Sequence, residues 1–232
     1  AFVVGDAEPV LPILLNTLVK QSSNSRIECL KALSEIESVY VPEFKKSVTR
    51  AVYSGNIGAQ STILTSEAEF GYTQLIEVER GCGRRCRFCA AGHIGRPVRY
   101  MELPEHVNTQ RLGLVGAAVL DHPGVLDFCR SLAEQGKEFT LSSIRLETLN
   151  AESCSVLSAG GLKTITIAPE AGSERLRRVL NKSISDEDIC RAAMYTSEAG
   201  IKRLRMYFMI GLPTETDDDI HAIANLAEKI TL

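Results

Sequence analysis

The sequence lacks long hydrophobic runs, a strong excess of either charge and an even set of cysteines. No apolar stretch approaches the roughly 20 residues that a membrane-spanning helix needs, so we expect no membrane partner. The first residues, AFVVGDAEP, have neither a basic start nor a long apolar segment, so we expect that they are not a secretion signal. A net charge of −3 argues against a protein that coats nucleic acid. With 44% hydrophobic and 24% charged residues, the 232-residue chain has the composition of a globular protein of one or two domains.

The seven cysteines do not form the even framework of a disulfide-stabilised secreted domain. Three of them are clustered and need free thiolates, which indicates a reducing compartment, and we expect a cytoplasmic protein. The other four fall in predicted helices and are interpreted as small buried hydrophobic residues. These four are Cys29, Cys129, Cys154 and Cys190.

The clustered cysteines are Cys82, Cys86 and Cys89, in the stretch ERGCGRRCRFC with the spacing C-x3-C-x2-C. Three thiolates on one short loop can hold three corners of an iron–sulfur cube and leave the fourth iron open for another ligand. His93, which follows soon after, offers an alternative: a Cys3His zinc site in a binding module without catalysis. Zinc modules are usually small and self-contained, whereas this loop is embedded in a long pattern of strands and helices.

From Thr73 onward predicted strands and helices alternate, which implies parallel strands joined by right-handed crossovers. The predicted strands are Leu75–Val78, Leu112–Leu120, Phe139–Leu146, Thr164–Ala168 and Leu204–Ile210. The predicted helices are Val125–Glu134, Ala151–Ser158, Ser173–Leu180, Asp186–Ala199 and Thr216–Ile230. In a parallel βα barrel the chemistry lies at the carboxyl ends of the strands, and the cysteine loop directly follows the first of them.

The part of the chain before Thr73 is less regular. A short strand at Phe2–Val4 and helices at Val10–Val19 and Asn24–Ile36 precede a stretch rich in Gly, Ser and Thr with no helical period. We therefore predict a domain fragment at 1–38, a linker at 39–72 and a core at 73–232. Because the chain opens on a strand without an initiator Met, we expect it to be part of a longer protein.

The cysteine loop resembles the signature of the radical S-adenosylmethionine (radical SAM) superfamily, C-x3-C-x-φ-C, with Phe88 as the aromatic residue. The resemblance covers roughly residues 73–232 and includes CRFCAAGHIGRPVR, GLVGAAVLDHP, SSIR, APEAGSERLRRVLNK and YFMIGLPTET. These segments look like a subgroup in which the radical SAM barrel follows a Rossmann-like domain of the cobalamin-binding type. The implied fold class is α/β: a partial (βα)6 radical SAM barrel with five units present, preceded by a fragment of a Rossmann-like domain.

The resemblance also implies a [4Fe–4S] cluster on the three cysteines, with SAM bound to the open iron. The positions that match the family's SAM contacts are Phe88, Gly116, Ala117, Ser143, Arg145, Glu170, Ser173 and Gly211. Phe88 and Gly211 would lie beside the adenine, and Glu170 and Ser173 beside the ribose and methionine. Arg145, on one strand face with Ser143, would pair with the SAM carboxylate. Gly116 and Ala117 would meet the SAM amino group, at a place where the family often has a glutamate that this chain lacks.

The implied function is reductive cleavage of SAM to a 5′-deoxyadenosyl radical that acts on a substrate the sequence does not name. A flavodoxin- or ferredoxin-like protein would supply the electron. The alternatives are a cobalamin-dependent radical SAM methyltransferase and an RNA- or protein-modifying methylthiotransferase. Cobalamin binding needs a D-x-H-x-x-G loop that this chain lacks, so cobalamin is expected only in a longer parent chain.

Arginines surround the cysteine loop, and they are interpreted as balancing the charge of an anionic cluster and of SAM. An RNA partner is the alternative for these arginines, and the net acidic chain does not favour it. Arg175, Arg177 and Arg178 are interpreted as the solvated face of one short helix.

Overall fold

The structure is a computed structural model that describes residues 1–44 and 46–231. Its internal contacts divide the chain into two compact units, Ala1–Gly55 and Asn56–Leu232. The boundary falls inside the stretch predicted as a linker, so that stretch is shared between the two units. The assignment of residues 1–38 to a Rossmann-like domain stays a prediction.

The first unit is a small α/β arrangement. Strand β1 (Phe2–Val3) pairs antiparallel with β2 (Val39–Tyr40), and helices α1 (Leu11–Lys20) and α2 (Arg26–Ser34) lie between them in sequence. Helix α2 begins at a capping box, because Ser25 and Glu28 exchange side-chain to backbone hydrogen bonds. The hydrophobic core of this unit includes Val10, Leu30, Leu33, Val39, Val41 and Ala51.

The second unit contains the predicted alternation of strands and helices. Its strands are β3 (Gln74–Glu77), β4 (Glu79–Arg80), β5 (Arg99–Tyr100), β6 (Arg111–Val115), β7 (Glu138–Leu141), β8 (Thr164–Glu170) and β9 (Arg203–Phe208). Its helices are α3 (Ala91–Ile94), α4 (Val125–Glu134), α5 (Ala151–Ala159), α6 (Glu174–Val179), α7 (Asp186–Glu198) and α8 (Asp217–Thr231). The short antiparallel pair of β4 and β5, and the single turn of α3, have no counterpart in the sequence prediction.

Five strands of this unit are parallel, as the alternation predicted. Strands β3, β6 and β7 form one sheet, and β8 pairs with β9. Their outward-facing apolar side chains pack under the helices in one core, which includes Leu112, Leu114, Phe139, Ile165, Ile167, Leu132, Leu157 and Ile189. Cys129 and Cys154 are buried in this core, whereas Cys29 and Cys190 are only half-buried.

An extended segment covers the free edge of β3. Gln60 lies opposite Ile76 in an antiparallel bridge. The N–H of Ser61 donates to the carbonyl of Leu75 at 2.9 Å, and the N–H of Glu77 donates to the carbonyl of Ala59 at 2.8 Å. The predicted linker therefore supplies backbone partners to the first barrel strand, whose edge groups would otherwise be unpaired.

Two predicted strands are shorter in the structure. The strand predicted at Leu112–Leu120 ends at Val115 and continues as a bend and a 3-10 turn. The strand predicted at Phe139–Leu146 ends at Leu141. After Val115 the backbone is bonded to the side chains of Ser142 and Glu79 rather than to a strand ladder, which explains the early end of β6. No helix in the described ranges is long and apolar enough to cross a membrane.

Helix α8 is attached to α6 through the buried carboxylate of Asp219. This carboxylate accepts hydrogen bonds from Ser173 Oγ, from the Arg175 guanidinium and from the N–H and Oγ1 of Thr216, the last two at 2.8 Å. These donors, with Arg175 first, lower the pKa of Asp219. The ionised carboxylate therefore stabilises the folded chain at neutral pH and loses this effect as the pH falls below the ordinary Asp value.

We predict that Asp219→Asn lowers the free energy of unfolding by about 2–3 kcal/mol at neutral pH, since charged hydrogen bonds are lost at a buried site. The loss should shrink in acid, where the wild-type carboxylate is itself protonated. Urea denaturation at several pH values measures it. Asp218→Asn, on the same turn but exposed, is the matched control, and equal stability of the two variants would contradict the assignment.

Candidate active site

A cavity of about 520 Å³ opens at the carboxyl ends of the barrel strands. It brings together four segments that are far apart in sequence: the cysteine loop, the bend after β6, the segment after β7 and the turns on both sides of α6. Its lining includes Cys82, Arg84, Cys86, Phe88, Cys89, Ala117, Ser143, Arg145, Glu147, Glu170 and Lys182. All three predicted cluster ligands therefore line one cavity.

The cysteine loop is attached to the turn between α6 and α7. The backbone N–H of Arg87 donates to the carbonyl of Leu180 at 3.0 Å, and the Asn181 side-chain amide donates to the carbonyl of Arg85 at 2.8 Å. The guanidinium of Arg87 adds a bond to the Val179 carbonyl at 2.6 Å. These three bonds hold the loop opposite the residues that follow β8.

The three thiols are a donor set that fits an iron–sulfur cube. Burial raises the pKa of Cys86, the charge of Lys182 lowers it, and the neighbouring Cys89 and Cys82 raise it further, so the thiols lie within electrostatic range of one another. Coordination by a metal deprotonates a thiol outright and removes this cost. In the described part of the chain, no three His, Cys, Asp or Glu side chains gather around a single point. The cysteines of an iron–sulfur cube each bind a different iron, so they need not gather around one point.

His93, the fourth ligand in the zinc alternative, has its Nε2 atom 3.1 Å from the carbonyl oxygen of Cys86. The ring therefore bonds the loop backbone. This contact fixes the turn of α3 onto the cysteine loop.

The arginines of the loop are used mainly to shape it. Arg96 donates to the carbonyl of Gly83 at 3.1 Å, and Arg80 makes a bidentate ion pair with Glu77 at 2.7 and 2.8 Å. Arg84 lies 3.5 Å from the carboxylate of Glu147 across the cavity mouth. Of the loop arginines, Arg84 and Arg85 line the cavity, which is compatible with the charge-balancing interpretation.

Glu170 is held in an unusual conformation at the end of β8. Its φ angle is 72°, in the left-handed region that a non-glycine residue rarely adopts, and the ladder to β9 is irregular there. Such backbone strain costs about 1–3 kcal/mol and is concentrated at functional sites. The Glu170 carboxylate forms a 3.1 Å ion pair with Lys182, and both side chains are mostly buried. Lys182 was not singled out from the sequence, because nothing local to it indicates that it returns to the cavity.

Arg145 lines the cavity but is already paired. It forms ion pairs with Asp121 and, at 2.7 Å, with Glu147. Burial raises the pKa of Asp121, which the charge of Arg84 partly offsets. A ligand carboxylate would therefore compete with Asp121 and Glu147 for this guanidinium.

Three of the predicted SAM contacts lie outside the set of described residues that line this cavity. Gly116 has its N–H and its carbonyl bonded to Ser142 Oγ, at 3.0 and 2.9 Å. Ser173 caps the N-terminus of α6, since its Oγ accepts the N–H of Leu176 at 3.1 Å. Gly211 donates its N–H to Glu215 at 2.5 Å. Five of the predicted contacts line the cavity, and these three do not: the five are Phe88, Ala117, Ser143, Arg145 and Glu170.

A buried carboxyl group that the sequence did not indicate lies behind the bend after β6. Glu79 is 3% exposed, and its Oε2 accepts the N–H of Ala118 at 3.0 Å. Burial raises the pKa of Glu79 to about 7, although the bond from Ala118 acts in the opposite direction. Its position in the two-residue strand β4 gave no pattern from which burial could be predicted.

Arg177 is the second buried charge that the sequence analysis missed. The prediction of a solvated face is wrong for this residue, whose side chain is fully buried. Its guanidinium donates to the carbonyls of Ala171, Gly172 and Ile184 at 2.8–3.1 Å and pairs with Asp186. It thereby ties the turn after β8 to the turn before α7, the two segments that flank Glu170 and Lys182. Arg178, the next residue, is exposed as predicted.

Residues 76–227 match the Radical SAM superfamily, so the chain belongs to this family. An uncharacterised protein of Methanocaldococcus jannaschii is 33% identical over 224 residues, which are 90% of this chain and 50% of that protein. The ribosomal protein uS12 methylthiotransferase RimO of Thermodesulfovibrio yellowstonii is 22% identical over 88% of this chain and 53% of its own length. The chain spans about half the length of these curated relatives.

The fold is also that of a solved radical SAM structure. The methyltransferase TsrM from Kitasatospora setae, with cobalamin and a [4Fe–4S] cluster bound, superposes with a TM-score of 0.58 at 15% identity. The aligned part is 68% of this chain and 34% of that protein. The predicted fold class, a partial (βα)6 barrel, is therefore confirmed. The expectation of an enzyme class that uses a [4Fe–4S] cluster, SAM and an electron donor is confirmed at the level of the family, and it favours the cluster over the zinc alternative.

We predict that Arg177→Met lowers the free energy of unfolding by about 3–5 kcal/mol, because the carboxylate of Asp186 and three carbonyl oxygens lose a buried cationic partner. Arg178→Met on the same helix should change it by less than about 0.5 kcal/mol. Chemical denaturation of both variants tests the difference. A small effect of Arg177→Met would mean that the cavity walls are held by other contacts.

Glu79 gives a pH-dependent prediction. The folded chain keeps a proton on this carboxyl group up to about pH 7, whereas the unfolded chain releases it near the ordinary value of 4.5. The free energy of unfolding should therefore decrease as the pH rises through this window. Glu79→Gln should remove that decrease, and Glu152→Gln at an exposed site should not. Parallel pH profiles for wild type and Glu79→Gln would refute the buried, protonated carboxyl group.

Proposed function

We propose that this chain holds a [4Fe–4S] cluster and SAM at the strand-end cavity and starts radical chemistry on a substrate that is still to be identified. The observation that supports the proposal most strongly is the convergence of all three motif cysteines with Ala117, Arg145, Glu170 and Lys182 on one cavity. The family match supports the interpretation of this convergence as a cofactor site.

Cys82, Cys86 and Cys89 would hold three irons of the cluster. Bound together, the cluster and SAM supply a one-electron cleavage of the sulfonium carbon–sulfur bond, which yields a 5′-deoxyadenosyl radical. The chain itself positions the loop, because the hydrogen bonds of the loop to Leu180 and Asn181 fix where the thiols lie. The protein thus contributes binding, orientation and electrostatics, while the cofactors carry the difficult chemistry.

The polar residues on the cavity wall have separate roles in this proposal. Glu170 and Lys182 form a mostly buried ion pair that offers a carboxylate for hydroxyl groups and a cation for an anionic group. Arg145 would bind the SAM carboxylate in exchange for Glu147, and Ser143 lies beside it on the wall. Phe88, which is partly exposed, presents an apolar ring to the adenine.

Group transfer is a second candidate, favoured by the relatives. RimO is a methylthiotransferase and TsrM a methyltransferase. In a reaction that donates the methyl group of SAM, S-adenosylhomocysteine accumulates in addition to 5′-deoxyadenosine. The ratio of these two products therefore distinguishes group transfer from hydrogen abstraction alone. The electron donor, for which we propose a flavodoxin- or ferredoxin-like protein, is replaced by dithionite in the assay.

We predict that anaerobic reconstitution with iron and sulfide gives about four irons per chain and that SAM with dithionite then yields 5′-deoxyadenosine. Cys86→Ala should lose the cluster absorbance and at least about 90% of the product, because a cube with two protein ligands is poorly held. Iron analysis and mass spectrometry measure the two effects.

Cys190→Ala, which removes a half-buried cysteine from α7, is the control and should keep both iron and product. One zinc per chain with no iron would refute the proposal and leave the Cys3His module. A loaded cluster without any SAM binding would also refute it.

A further inference from the structure

The bend after β6 forms part of the cavity wall without any acidic side chain of its own. It consists of Gly116, Ala117 and Ala118, and Ala117 is the residue that lines the cavity. A ligand with an ammonium group would need an acceptor here, and the bend can offer only backbone carbonyl oxygens.

The residues on both sides of Ala117 have their backbone groups occupied. Ser142 Oγ bonds both the N–H and the carbonyl of Gly116, at 3.0 and 2.9 Å. The carbonyl of Ala118 accepts the N–H of Asp121 at 2.8 Å. Within the described ranges, the carbonyl oxygen of Ala117 has no hydrogen-bond partner. It is therefore the backbone acceptor of this bend that is free for a ligand.

Glu79 determines which way this acceptor points. Its buried side chain packs behind the bend, so closely that a Cβ atom on Gly116 would lie 3.0 Å from the Cβ of Glu79. Its Oε2 accepts the N–H of Ala118 at 3.0 Å. In a trans peptide the carbonyl of one residue points opposite to the N–H of the next. The Ala117 carbonyl therefore points away from Glu79. Ala117 lines the cavity and Glu79 does not, which supports a carbonyl that faces the cavity.

We propose that Glu79 is a positioning residue that orients the Ala117 carbonyl oxygen to accept a hydrogen bond from the ammonium group of SAM. The inference rests on the proposed function, because it takes SAM as the occupant of the cavity. The carboxyl group that this segment lacks in its own sequence is thus supplied from β4, behind the bend, and it acts through the backbone rather than by touching SAM.

The test compares two ligands on the reconstituted protein by equilibrium binding, without turnover. One ligand is SAM, and the other is its deaminated analogue, in which a keto oxygen replaces the amino group. Glu79→Met keeps the shape and loses the acceptor, so SAM binding should weaken about tenfold, which corresponds to about 1.4 kcal/mol. Binding of the analogue should change by less than about twofold, an energy difference below about 0.5 kcal/mol.

Glu79→Gln is the matched control, because it keeps an oxygen that can accept the N–H of Ala118. It should bind SAM like wild type. Ser142→Ala, at an exposed position, removes the other hydrogen-bond partner of the same bend. It should also reduce the preference for SAM over the analogue. This variant provides a readout even where Glu79→Met does not fold.

The role of Glu79 would be overturned if Glu79→Met lost equal affinity for SAM and for the analogue. It would also be overturned if Glu79→Met and Ser142→Ala both kept the wild-type preference for SAM over the analogue. These results differ from a failure of the proposed function, which would appear as wild-type protein with a loaded cluster and no SAM binding.

Discussion

The attachment of the cysteine loop to the turn after α6 is the constraint on which the rest of the site depends. The loop leaves the first barrel strands, whereas the turn follows the fourth, and about ninety residues separate them. Three hydrogen bonds from Arg87 and Asn181 join them directly. Since the loop lies at a strand end and has little regular structure of its own, these bonds decide that its thiols lie opposite Glu170 and Lys182.

The turn can serve as an anchor because it is itself fixed by buried charge. The guanidinium of Arg177 is fully desolvated, a cost that its bonds to three carbonyls and Asp186 offset. The buried carboxylate of Asp219 likewise ties the start of α8 to α6 through its bonds from Ser173 and Arg175. Both groups stiffen the region beyond β8, where Glu170 has a strained backbone. Strain of this kind persists only when its surroundings hold it.

Prediction from the sequence succeeded where apolar residues follow a regular pattern and failed for buried charged groups. The parallel strands and their helices could be predicted, because apolar residues at regular spacing bury one face wherever they occur. The predicted starts of α5 at Ala151 and of α7 at Asp186 agree with the structure, in which Asn150 and Ser185 cap these helices. Glu79, Arg177 and Lys182 could not be assigned, since their partners lie in other segments and their own neighbourhoods look ordinary.

The sequence by itself determined the family, the class of fold and the identity of the thiols, because three cysteines at one spacing after a strand are a local pattern. It also predicted that the site lies at the carboxyl ends of the strands, since parallel strands end at one face. The tertiary structure alone decided which side chains line the cavity and which are bonded elsewhere. Ser173 and Gly116, for example, use their polar groups within the fold, whereas Lys182 reaches the cavity from beyond α6. The reason is physical: every buried polar group must find a partner, and the chain folds each partner in from a distance that no local pattern encodes.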